Sequence, residues 1–340
     1  MAERVGSAPG VPADGVPADG VAELVARARR GEARAVARLI SLVENESPRL
    51  RAVMAELAPH TGNARVVGLT GSPGVGKSTC TSALVTAYRR AGLRVGVLAV
   101  DPSSPFSGGA LLGDRVRMSE HALDPGVYVR SMATRGHLGG LSWAVPQAVR
   151  VLDAAGCEVI LVETVGVGQS EVDVAGQADT TVVLLAPGMG DGVQAAKAGI
   201  LEVGDLFVVN KADRDGAGTT VRELQHMLGL GAPRAPGDWR PAVVRTVAAR
   251  GEGVDELVEA LEKHHGWLVE HGELAARRVR RAAREIESIA LTALRSRMAT
   301  LRGGQRLGAL AARVLAGESD PYAAADSLVE GVSDGVSDGA

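Results

Sequence analysis

The sequence predicts an α/β protein with a mostly parallel central sheet flanked by helices. Three observations predict it. Between Arg65 and Leu257, the apolar runs VVGL, RVGVLAV, GVYVRS, EVILVE, TTVVLLA, DLFVVN and AVVRTV alternate with helical patterns, and strands that alternate with helices build parallel βαβ units. The first run leads into the glycine-rich GSPGVGKS of residues 71–78, and the sixth into NKAD at residues 210–213. Both motifs therefore stand at the C-terminal ends of strands, where ligands bind in open α/β sheets.

The chain has 340 residues, and residues 1–20 repeat VPADG in tandem, rich in Pro, Gly and Ala, which predicts a disordered tail. Residues 21–62 carry helical periodicity in VARARR, ARAVARLISLV and LRAVMAEL, broken near Gly31 and Ser47-Pro48. They predict an N-terminal helical cap. Residues 63–258 hold the alternating pattern and both motifs. From residue 254 onward the chain reads as amphipathic helices over 254–268, 274–301, 305–316 and 321–330, and residues 259–331 form a C-terminal region with no sheet left to cover. A long helix without a sheet needs another partner, so this region is expected to be a dimerisation arm. Residues 332–340 close on a GVSD repeat and form a second expected tail.

GSPGVGKS fits the phosphate-loop pattern G-x-x-x-x-G-K-[ST], with a β-rich run before it and a helix, Ser78 to Arg90, after it. Gly71, Gly74 and Gly76 let the chain curl so that successive N–H groups, with Ser72, Pro73 and Val75 between them, face one phosphate at a helix N-terminus. Thr79 follows in the first turn. Lys77 is expected to reach the β- and γ-phosphates and Ser78 to ligate Mg2+. NKAD settles the base. Asp213 can accept from guanine N1–H and the exocyclic amine together, a pair adenine does not offer; Asn210 is expected on the other ring edge and the Lys211 stem over the base plane. Ala248 and Ala249 follow the last strand, where backbone amides meet guanine O6. The predicted cofactors are therefore GTP or GDP with Mg2+.

Acids end two further strands. Asp101 closes RVGVLAVD, and Asp114 follows in the polar loop DPSSPFSGGALLGDRVRM; acids that face a phosphate loop are natural Mg2+ partners. The structural alternative is that Asp101 opens an Asp-Pro turn and Asp114 caps the helix GDRVRM. Glu163 ends EVILVE and opens ETVGVGQSE, which brings a further acid and then Gly166 to the γ-phosphate position, as in a switch loop. Gln169 is a candidate to orient water. PGMGDGVQAAKAGILEVGD begins with a hinge-like stretch that carries Asp191 and Lys197.

Composition sets bounds. Of the 37 basic residues only four are lysine, Lys77, Lys197, Lys211 and Lys263, and two of these stand inside the nucleotide motifs, where a compact ammonium on a flexible stem is needed. A net charge of −3 offers no general attraction to polyanions, so no nucleic-acid partner is expected. Arg277, Arg278, Arg280, Arg281 and Arg284 read as a solvated or interface face beside Glu273 and Glu285. Cys80 and Cys157 lack C-x-x-C spacing and read as buried, reduced thiols of a cytoplasmic protein. No run approaches 18 apolar residues, so no membrane span is expected, and the histidines lack ligand spacing.

These segments resemble a known family, the methylmalonyl-CoA mutase-associated GTPases of the MeaB or ArgK type, similar to the human protein MMAA. The likeness covers residues 21–331 and rests on GSPGVGKST, VDPSSP, GGALLGDRVRM, RSMATRGHLGGL, DAAGCEVILVETVGVGQSE, PGMGDGVQAAKAGILE, VVNKAD and DPYAAAD. The resemblance implies a P-loop GTPase fold and a homodimer joined through C-terminal helices. It assigns phosphate and magnesium roles to Lys77 and Ser78, magnesium-linked switch roles to Asp101 and Asp114, and the γ-phosphate switch to Glu163 and Gly166. It also implies a GTP hydrolase acting as chaperone of an adenosylcobalamin-dependent acyl-CoA mutase, gating cofactor delivery and protecting the enzyme. The cobalamin would sit on the mutase. Two positions depart from the pattern: Gly192 follows Asp191 where a second acid is common, and Ala248 replaces the usual Ser. The rival classes are a kinase, against which NKAD argues, and a metal-insertion GTPase, which needs a thiol or histidine metal site.

Overall fold

The computed structural model describes residues 20–101, 118–133, 144–164, 176–188, 200–230, 235, 237–301 and 305–327. Strands β1 (Arg65–Thr70), β2 (Val95–Asp101), β3 (Val127–Ala133), β4 (Val159–Thr164), β5 (Thr180–Leu185), β6 (Leu206–Asn210) and β7 (Ala242–Thr246) form one sheet in the order β3-β2-β4-β1-β5-β6-β7. Each neighbouring pair is parallel. All the apolar runs read from the sequence are strands. Residues of β4, β5 and β6 are buried without alternation, as expected for a parallel sheet covered on both faces.

The helices are α1 (Gly20–Arg29), α2 (Ala33–Glu44), α3 (Leu50–Leu57), α4 (Lys77–Arg90), α5 (Ala144–Ala154), α6 (Ile200–Val203), α7 (Ala217–Gly229), α8 (Val254–Glu270), α9 (Glu273–Leu301) and α10 (Gln305–Leu315). Successive strand residues point to opposite faces, and the core divides accordingly. Val67, Leu69, Val97, Leu161 and Leu184 pack under α4 and α8. On the opposite face, Val66, Leu98, Ile160 and Val162 pack under α5 and the N-terminal helices, while Val183, Phe207 and Val209 pack under α7. The N-terminal helices break where expected: Gly31 takes φ 86°, and Ser47-Pro48 separates α2 from α3. Arg130 on β3 pairs with Glu44 on α2, and the Tyr128 hydroxyl donates to the Gly31 carbonyl at 2.9 Å, so polar ties fix the cap to the sheet edge. Cys80 and Cys157 are both buried and free. Burial pushes each thiol up to about 12, which keeps both protonated at neutral pH.

The chain divides after Arg278 into two compact units. The first includes α8, whose Leu261, His264 and Leu268 are buried, and Leu261 lies in the core under that helix. The second unit takes most of α9 and all of α10. Within it, Val279, Ile286 and Ile289 of α9 are exposed, at the three- and seven-residue spacing of one helix face.

Candidate functional site: a phosphate loop joined to a base pocket

β1 delivers the chain into the glycine loop. Gly71 has φ 139°, and a Cβ there would stand 2.2 Å from the Leu184 carbonyl of β5; the loop leaves the sheet against its neighbour's backbone, which only glycine permits. Gly76 caps α4 in the left-handed region with no side chain to offer, so the first-turn N–H groups face the concavity of the loop. Lys77 is buried, and its ammonium donates to the carbonyls of Gly71 at 2.6 Å and Ser72 at 3.1 Å. The charge is thereby held over the mouth of the loop.

β4 delivers Glu163 beneath this helix. Its carboxylate is buried and accepts from the Ser78 hydroxyl at 2.6 Å and the Thr81 hydroxyl at 3.0 Å. Burying a carboxylate is costly unless donors surround it, and α4 presents both hydroxyls one turn apart. Thr81 is missed by the sequence reading, although a hydroxyl three residues after Ser78 on one helix face is the signal that would have found it. Asp114, Gly166, Gln169, Asp191, Lys197 and the Asp101 side chain lie outside the described residues.

The base motif is bound into the same structure. Asn210 at the end of β6 donates from Nδ2 to the Val75 carbonyl at 2.9 Å, and its Oδ1 accepts from the Thr246 hydroxyl and the Ala248 N–H, both at 3.1 Å. One side chain joins the phosphate loop to the loop after β7, beyond the ring-edge contact expected for it. A Cβ on Gly76 would lie 2.5 Å from that Nδ2, so the glycine spacing and the Asn are fitted to each other. Lys211 holds a left-handed backbone at φ 57°, a strained conformation of the kind that clusters at ligand sites, and its ammonium donates to the Gly74 carbonyl at 2.6 Å. Between them lies a pocket of about 180 Å3. Gly76 and Thr79 line one side, Asn210, Lys211 and Asp213 another, and Val247, Ala248 and Ala249 the third. Asp213 Oδ2 stands 3.5 Å from Arg250 Nη1.

Two basic residues differ from expectation. Arg277 and Arg278 are not a solvated face. Arg277 forks onto Asp205 at 2.8 and 2.9 Å, and Arg278 onto Asp179 at 3.3 and 2.8 Å. Asp179 and Asp205 are buried just ahead of β5 and β6, so the root of α9 is clamped to the end of the sheet opposite the pocket.

A phosphate loop at the end of β1, a buried acid at the end of β4 and an Asn-Lys-x-Asp motif at the end of β6, on a parallel sheet, define a phosphate-loop GTPase. The family described as "Methylmalonyl Co-A mutase-associated GTPase MeaB" matches residues 36–302, and the chain belongs to that family. A GTPase of Pyrococcus horikoshii is 49% identical over 310 residues, covering 91% of this chain and 97% of the relative. The Escherichia coli protein named GTPase ArgK is 40% identical over 261 residues, covering 75% of this chain and 78% of that one. Among solved structures, one titled "LAO/AO transport system kinase" superposes with a TM-score of 0.70 at 26% identity, covering 94% of this chain and 99% of that chain.

Proposed function

We propose that this protein binds and hydrolyses GTP as a switch that gates adenosylcobalamin loading of a B12-dependent acyl-CoA mutase of the methylmalonyl-CoA type, and that protects or reactivates that enzyme. The observation that carries the reading is the family match over residues 36–302. The geometry supports the switch. Ser78 and Glu163 form an all-oxygen donor pair at the phosphate loop, which suits Mg2+; with Asp101 and Asp114 they are the proposed set that holds it. When bound, the ion would neutralise charge on the β- and γ-phosphates. Lys77 supplies a fixed positive charge to the same phosphates. Glu163, next to last in β4, is bonded to α4 through its carboxylate, and Gly166, three residues on in the sequence, is the proposed γ-phosphate sensor.

For the base, Asp213 takes the N1–H and exocyclic amine, the Lys211 stem covers the ring, and Asn210 orients both loops. Because the Ala248 N–H is held by Asn210, the O6 contact falls to the Ala249 N–H. We place the homodimer contact on the C-terminal helices, where Val279, Ile286 and Ile289 are exposed, and the protein in the cytoplasm. No described helix is long and apolar enough to cross a membrane. The client is tested by mixing the purified protein with methylmalonyl-, isobutyryl- and ethylmalonyl-type mutases and measuring complex formation by light scattering with GTP or GDP. One mutase is expected to form a complex whose stability depends on the nucleotide; no complex with any of them would refute the chaperone role.

A further inference from the structure

Resting on the guanine reading of the base pocket, one residue outside both motifs acquires a role. Arg250 ends the 3-10 turn Ala248–Arg250 that follows β7. The turn is closed on itself: the Val247 N–H donates to the Glu252 carbonyl at 2.9 Å and the Arg250 N–H to the Val247 carbonyl at 2.8 Å. Gly251 and Gly253 take φ 73° and 72°, and a Cβ on Gly253 would stand 2.0 Å from the Arg245 carbonyl. The backbone position of Arg250 is thus determined by a tight ring that only glycine completes.

Its side chain is aimed as well. Glu252 takes the guanidinium by two bonds, Nε to Oε1 at 2.7 Å and Nη2 to Oε2 at 3.3 Å, and a planar fork held on one edge can point only its remaining nitrogen elsewhere. That nitrogen, Nη1, stands 3.5 Å from Asp213 Oδ2. Ala248, on the same loop, has no hydroxyl with which to hold the carboxylate. Among the described residues, Arg250 is the side chain that forms an ion pair with Asp213. Each carboxylate oxygen has two lone-pair sites, so Oδ2 can face Arg250 and still accept from a base.

We infer that Arg250 is a positioning residue for Asp213: the chain Glu252, Arg250, Asp213 sets the carboxylate plane towards the guanine edge and so sharpens selection of the exocyclic amine. Freed from Arg250, the carboxylate turns about its own axis and keeps one base contact more readily than two. Removing a cation from the pocket rim for charge alone would weaken every nucleotide equally; loss of orientation weakens the nucleotide with two N–H donors more than the one with a single donor. GDP and inosine diphosphate differ in that donor.

The test is isothermal titration of GDP and inosine diphosphate into the full chain, as wild type, Arg250→Ala, Glu252→Ala and Asp213→Ala. Arg250→Ala is expected to lower GDP affinity roughly two- to fivefold, the range for an exposed ion pair, with a smaller loss for inosine diphosphate, so that the preference for guanine falls. Glu252→Ala should lower it in the same direction by less. Equal losses for both nucleotides, or an unchanged preference in both variants, would overturn the inference. Asp213→Ala separates the two levels: a preference that survives it refutes the guanine assignment itself.

Discussion

Asp213 is the residue proposed to select guanine, and its neighbourhood shows how far single residues can be read from sequence. GSPGVGKS and NKAD were legible because their chemistry depends on local spacing, and the structure brings both to one pocket. What spacing alone does not show is how the motifs are joined. Asn210 spends its carbonyl and one N–H on Thr246, Ala248 and Val75, and Thr81 and Arg250 gain their roles only from the approach of β4 and of the loop after β7. The base assignment predicts that Asp213→Asn weakens GTP binding at least tenfold, the loss of one or two charge-assisted bonds, and improves binding of xanthosine triphosphate, whose edge presents an acceptor to the new amide. Equilibrium titration with both nucleotides checks it. Unchanged preference would remove Asp213 from the base contact.

At the scale of elements, the strands were legible from apolar runs and the helices from their period, whereas the anchoring of α9 was not. An arginine-rich stretch on an exposed-looking helix gives no sign in sequence that two of its members reach buried acids 72 and 99 residues away. Arg277 and Arg278 do so through forked bonds to Asp205 and Asp179. Arg277→Ala leaves Asp205 without its fork and should cost about 2–3 kcal/mol in urea denaturation. A pH dependence follows. Burial works to raise the Asp205 carboxyl, but bonding from His264 and Arg277 outweighs it and holds it below its ordinary value. Of the two, the Arg277 fork is the firmer partner, since His264 Nε2 stands 3.4 Å from Asp205 Oδ1. A carboxyl lowered on folding contributes stability above its unfolded value, about 3.9, and that contribution is lost as pH falls through the folded value. Wild type is therefore expected to lose stability more steeply than Arg277→Ala below about pH 4. Parallel acid limbs would contradict the role of the clamp.

Across the whole molecule, the first unit places its chemistry at one end of a parallel sheet and its helix anchor at the other. β6 begins beside Asp205 and ends in Asn210, so a five-residue strand separates the clamp on α9 from the base motif. The alternation of strands and helices made the α/β class legible, but the strand order was not, because crossovers depend on which faces the helices cover. The central claim is a guanine-specific switch answering to a mutase. It is tested most directly by steady-state hydrolysis of GTP and ATP by the purified chain, alone and with each B12-dependent acyl-CoA mutase. Turnover of GTP over ATP is expected, accelerated by one mutase. Equal turnover of ATP, or a GTP rate that no mutase changes, would contradict it.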